Sequence, residues 1–197
     1  MNKARIYYTT VLFFTMLSTA ALGQSTRRLV KDFDHDLKKD TVYINSDTKT
    51  LVCKLSSQKF RKIESQKIWK LNFGNTLVAL KDGFEFWNDY GRSGFISTFA
   101  YNKKEKKMQL VKMKRTDYEV SGTYSGENGG TSSVNLLTNK YTAHFRVVRN
   151  KKMVELPAVN SIMVFPKTYL QTFSDDINFD YEEKCVALYN QYQAKNK

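Results

Sequence analysis

From about residue 41 to residue 165 the chain is a series of short β-rich runs divided by turn residues, a pattern that argues for an antiparallel sheet rather than βαβ units. Thr41 to Ser46 and Thr50 to Ser57 flank Ser46-Asp47-Thr48-Lys49, a hairpin signature. Leu77 to Leu80 and Phe84 to Trp87 flank Lys81-Asp82-Gly83, where glycine accepts positive φ. Phe95 to Tyr101 and Met108 to Met113 surround a lysine-rich turn at 102–107, and Tyr141 to Val148 and Met153 to Leu156 surround 149–152. Hairpins in series predict a mainly β fold: an antiparallel meander, sandwich or barrel-like sheet. Ser121 to Ser133, rich in Gly and Ser, reads as a surface loop. From Asp175 onward the period becomes helical, with Tyr181, Cys185, Leu188, Tyr189 and Tyr192 on one side. One C-terminal helix is therefore expected over about 176–193.

The first 23 residues read as an export signal. Lys3 and Arg5 form the positive start, Ile6 to Leu22 the apolar stretch, and Ala21-Leu22-Gly23 the small residues a signal peptidase recognises. Cleavage near Gly23/Gln24 leaves residues 24–197 as a single domain, secreted or periplasmic, with no later stretch apolar enough to span a bilayer. The whole chain carries 32 basic and 19 acidic residues, a formal charge of +13. The leader holds two of the bases and no acid, so the mature domain stands at 30 against 19, or +11. Such a field attracts polyanions, among which an exported domain meets anionic glycans and envelope components rather than nucleic acid. Lysines outnumber arginines 24 to 8, a ratio that suits a solvated surface more than bidentate recognition of phosphate.

The strongest chemical motif follows the leader: Asp32-Phe33-Asp34-His35-Asp36-Leu37-Lys38-Lys39-Asp40, with aspartates at positions 1, 3, 5 and 9. A hard cation such as Ca²⁺ takes several oxygens from a tightly curved backbone. The odd-numbered carboxylates of Asp32, Asp34, Asp36 and Asp40 meet that need, with Lys38 at position 7 contributing its carbonyl. Position 12 is Tyr43 rather than Glu and the flanks read as extended, so an EF-hand does not fit. The D-x-D-x-D-x-x-x-D run followed by Thr41-Val42-Tyr43-Ile44 resembles the calcium loop of FG-GAP, integrin-type repeats, which joins two strands. Phe99-Ala100-Tyr101-Asn102, Met108-Gln109-Leu110-Val111 and Ser133-Val134-Asn135-Leu136-Leu137-Thr138-Asn139-Lys140 extend the resemblance to small exported Gram-negative β-proteins carrying one such loop. Membership would imply a Ca²⁺-stabilised β domain. Leu37 stands at position 6, where the pattern has Gly.

Trp87-Asn88-Asp89-Tyr90-Gly91-Arg92 brings aromatic rings, amides, a carboxylate and a guanidinium into one turn. Trp87, Tyr90 and Arg92 are accordingly the candidate ligand-contact residues. The two cysteines, Cys53 on a predicted strand and Cys185 on the predicted helix, both point inward. A disulfide and two separate buried thiols are both compatible with the sequence. Catalytic signatures are missing: there are two histidines, no G-x-S-x-G and no Gly-rich phosphate cradle. The reading is an exported, non-enzymatic binding domain for an unidentified extracytoplasmic ligand. The alternatives are a cell-envelope glycan hydrolase using a carboxylate pair, such as Asp175-Asp176 or Glu182-Glu183, and a polyanion-binding protein.

Overall fold

The computed structural model describes residues 26–71, 74–89, 93–117 and 128–195; the predicted export leader, Tyr90 and Arg92 lie outside them. Two antiparallel sheets and one long helix make up the fold. The smaller sheet orders β1 (Arg28–Lys31), β2 (Asp40–Asn45), β3 (Thr50–Lys54) and β4 (Lys62–Glu64) in sequence. The larger runs from β5 (Thr76–Leu80) through β6 (Gly83–Asp89), β7 (Ser93–Asn102), β8 (Lys107–Asp117) and β9 (Asn128–Asn135) to β10 (Lys140–Arg149). At its far edge β11 (Lys152–Glu155) pairs with Arg146–Arg149 and β12 (Val159–Ile162) with Lys140–Ala143, so two short strands divide one side of β10. Pro157 falls between them, where a residue without an N–H interrupts the ladder. The sheet does not close into a barrel. Among the described residues, no helix is long and apolar enough to cross a membrane.

All four predicted hairpins form. Gly83 is obligatory: at φ 154°, a Cβ there would sit 1.9 Å from the Phe99 carbonyl oxygen of the neighbouring strand. The predicted surface loop 121–133 is corrected at its C-terminal end. Residues 121–127 lie outside the described residues, but Asn128–Asn135 form β9, a central strand. Its small residues answer to packing: a Cβ on Gly130 would come within 2.7 Å of the His144 carbonyl oxygen, and Ser132 lies beneath the helix.

The helix α1 (Asp176–Lys195) lays its predicted stripe on the larger sheet. Tyr181, Cys185 and Tyr189 are buried, and Tyr181 meets Ser132 through its hydroxyl at 2.8 Å and Phe95, Tyr141 and Phe165 by ring contacts. A chain of rings runs through the core: Phe33 edge-on to Phe84, Phe84 stacked on Phe99 at 5.1 Å, and Phe173 edge-on to both Phe99 and Phe86. Phe33 belongs to the Asp-rich segment, so that loop is anchored in the main core. The smaller sheet is joined to the β5 edge by the Leu77 amide on the Thr26 carbonyl and by Lys31 Nζ on the Leu80 and Lys81 carbonyls.

Candidate metal centre

The Asp-rich loop connects β1 to β2, and its own side chains shape it. The Asp32 carboxylate accepts the backbone N–H groups of His35 (2.7 Å), Asp36 (3.2 Å) and Leu37 (2.9 Å), curling residues 32–37 around it. Asp40 closes the far end, with Oδ2 accepting from the amides of Phe33 (2.7 Å) and Asp34 (3.3 Å) and Oδ1 from that of Ser56 (2.7 Å). His35 (φ 63°) and Leu37 (φ 67°) adopt left-handed backbone. Position 6 of the loop thus takes the conformation for which glycine is the ready choice, although the residue is leucine. Leu37 meets this with its side chain 95% exposed, so no packing clash adds to the backbone strain.

Three carboxylates converge. Asp32, Asp34 and Asp40 each offer an oxygen, all within 4.8 Å of one another, and the last two residues are buried. Asp34 Oδ2 accepts from the Ser57 hydroxyl and, at 3.4 Å, from the Ser57 amide. Asp34 Oδ1 is buried with no hydrogen-bond partner. Among the described residues no Lys, Arg or His pairs with Asp32, Asp34 or Asp40, in a chain of 32 bases. Converging carboxylates without a counter-cation repel one another, and Asp34 and Asp40 have lost hydration as well, a cost that the amide donors to Asp32 and Asp40 offset only in part. A divalent hard cation removes both costs by taking oxygens as ligands.

Asp36, the fourth expected ligand, is directed elsewhere. Both its oxygens accept from Ser56 Oγ at 2.8 Å, and Oδ1 also accepts the Lys38 amide at 2.9 Å. The Ser56 hydrogen bond, followed by that of the Lys38 amide and by the Lys38 charge, holds this carboxyl below its ordinary range. Lys38 enters the loop's network through that N–H. Ser56 and Ser57 stand on a one-turn 3-10 segment (Ser56–Gln58) following β3 and were missed by the sequence reading. Nothing local marks them, since their partners lie some 20 residues away in the chain.

The remaining predicted site residues are dispersed. Trp87 lies on the outward side of β6, 41% exposed, its indole N–H donating to Glu85 Oε2 at 2.8 Å. It borders a depression of about 240 Å³ with Asn88, Asp89 and Thr116. Cys53 and Cys185 are both buried free thiols, so the disulfide alternative is not formed. Cys53 sits on the smaller sheet, near Asp40 and Asp34, whereas Cys185 lies under α1 beside Ser132. Burial, reinforced at Cys53 by those two carboxylates, pushes both thiols up. Of the acid pairs, Asp175 accepts the amides of Trp69 and Lys70, each at 3.1 Å, and Glu182 accepts from the buried Arg115 at 2.8 Å. Both carboxylates hold the helix in place.

No protein-family model matches the chain, and neither a curated protein nor a solved structure shows significant similarity to it.

Proposed function

We propose that this protein is an exported, non-enzymatic binding domain stabilised by one Ca²⁺ in the loop between β1 and β2. The observation that carries the proposal is Asp34 Oδ1, buried and without a partner, beside two more carboxylates and, among the described residues, no cation paired with them. Asp32, Asp34 and Asp40 supply side-chain oxygens. Asp36 buttresses the loop through Ser56 instead of binding the ion directly. Oxygen-only donors select a hard cation over zinc or copper, for which soft or nitrogen ligands are preferred. The left-handed turn at Leu37 supports the same reading, as does the likeness to the FG-GAP loop.

The role of the ion is structural. Phe33, between two of the ligands, is buried against Phe84 of the larger sheet, while Asp40 begins β2 of the smaller one. Binding only the folded state, Ca²⁺ would hold the two sheets in register and raise the stability of the whole domain. A secreted or periplasmic location, as residues 1–23 imply, brings the protein to a compartment where Ca²⁺ at about millimolar level suits such modules. Thermal unfolding in millimolar Ca²⁺ and in chelator tests the proposal: a higher midpoint with Ca²⁺, and no equal effect from Mg²⁺, supports it. Identical melts in both would refute it.

A further inference from the structure

Immediately beyond the Asp loop lies a strongly basic groove of about 780 Å³ between β4 with its preceding turn and the tip of the β7–β8 hairpin. Lys59, Arg61 and Lys62 line one lip and Lys106 and Lys107 the other. Two acids share the groove, and both are engaged: Glu64 with Lys62 at 2.9 Å and Glu105 with Lys167 at 3.9 Å. Lys59, Arg61 and Lys106 are exposed and make no ion pair among the described residues. Cations gathered on facing lips repel one another, and a bound polyanion relieves that repulsion.

The backbone holds these cations in unusual positions. Lys59 (φ 55°), Phe60 (φ 56°) and Lys106 (φ 53°) are all left-handed, two on one lip and one on the other. Left-handed backbone at bulky non-glycine residues is uncommon, and it persists only where surrounding contacts fix it. At Lys59 and Phe60 they are the turn's own hydrogen bonds, the Lys59 amide to the Ser56 carbonyl and the Phe60 amide to the Leu55 carbonyl, each at 2.9 Å, and the Asp loop holds that turn in place. Ser56 is gripped by Asp36 and Asp40, Ser57 by Asp34, and Gln58 Nε2 donates to the Lys106 carbonyl at 2.5 Å. One three-residue turn therefore links the carboxylate cluster to both lips.

We infer that this groove binds a linear anionic polysaccharide and that Ca²⁺ at the Asp loop strengthens that binding by fixing the Ser56–Gln58 turn. Its lining holds four lysines to one arginine, a set suited to point charges spaced along a sugar chain rather than to phosphate forks, and the exposed Phe60 on one lip offers a single ring rather than a row on which successive bases could stack. The coupling rests on the calcium reading; the groove stands without it. Linkage requires the effect to be mutual, with the glycan tightening Ca²⁺ as Ca²⁺ tightens the glycan.

The test measures binding of a heparin fragment, as a sulfated probe, to the full domain. The combined Lys59→Glu, Arg61→Glu, Lys106→Glu variant should weaken binding by about tenfold or more, as expected when several charged contacts are reversed. Its Ca²⁺-induced rise in melting temperature should be unchanged, which shows that it folds and loads. An equal loss from reversing Arg149, Lys151 and Lys152 on the distant β10–β11 turn would mean that net charge alone governs affinity, and would overturn the groove. So would tighter binding of single-stranded DNA of matched charge. Ca²⁺ should strengthen heparin binding in the wild type and have no effect in Asp34→Asn. Binding that ignores both chelator and Asp34→Asn would overturn the coupling.

Discussion

Replacing Asp34 and Asp40 by asparagine, one at a time, should move stability in opposite directions. The carboxylates of Asp32, Asp34 and Asp40 approach within 4.8 Å, which at an effective dielectric of about 20 corresponds to about 3.5 kcal/mol of repulsion per ionised pair. Asp34→Asn removes two of the three pairs. It keeps an oxygen for Ser57, and its new amide falls where Oδ1 has no partner to lose. Discounted for solvent at the half-buried Asp32, the metal-free protein should gain about 1–3 kcal/mol, or about 2–10 °C in midpoint for a domain of this size. Asp40→Asn relieves two pairs as well, but it turns one acceptor into a donor facing the amides of Phe33 and Asp34 or of Ser56 and removes the charge from the bonds that remain, a cost of about 4 kcal/mol or more that outweighs the relief. The assay is thermal unfolding with chelator and with saturating Ca²⁺. Wild type should gain about 2.7 kcal/mol at a hundredfold excess over Kd, and neither variant should approach that. An Asp34→Asn protein that is less stable in chelator and keeps the full Ca²⁺ response would refute the account of this loop.

Three further outcomes follow from named contacts. Phe33→Ala should cost about 3–5 kcal/mol by emptying its place against Phe84, and should also weaken Ca²⁺ binding because Phe33 tethers the ligand loop; calorimetry on the folded variant checks the second effect. Neither Cys53 nor Cys185 should react with a thiol reagent in the folded protein near pH 8, since burial keeps both protonated, and two thiols per chain should titrate after unfolding without reductant; fewer than two would indicate a bridge. Glu64 is held below its ordinary range first by the Lys62 hydrogen bond, and next by that of Thr50. A depressed folded value gives stability that is present above the unfolded value and lost as pH falls through the folded one. The deficit of Glu64→Gln relative to wild type in urea midpoint, small for so exposed a pair, should therefore shrink as pH falls below the ordinary glutamate value and vanish below the depressed folded one.

The hairpins were legible because alternation and turn residues act locally, and β2–β3, β5–β6, β7–β8 and β10–β11 pair neighbours in sequence. The helix was legible for the same reason, since its inward stripe is a property of its own spacing. β9 was not: Gly129 to Ser133 carry the composition of a loop, and their smallness makes sense only once Tyr181 and Phe145 are seen pressing on that strand. At the site, aspartate spacing located the loop and its four aspartates, of which three converge. It could not reveal that Ser56 would draw Asp36 away, or that Leu37 would accept left-handed backbone once Asp32 captured its amide. Both depend on partners outside the periodicity of the motif.

Ca²⁺ binding in this loop turns on one atom, Asp34 Oδ1. A crystal structure of the domain grown in millimolar Ca²⁺, with the ion identified by its anomalous signal, measures the distance from cation to Asp34 Oδ1. The account predicts a single ion about 2.3–2.6 Å from that oxygen, with Asp32 and Asp40 completing the carboxylate set. A loop without the ion, or one in which Asp34 Oδ1 meets only water or a protein donor, would contradict it.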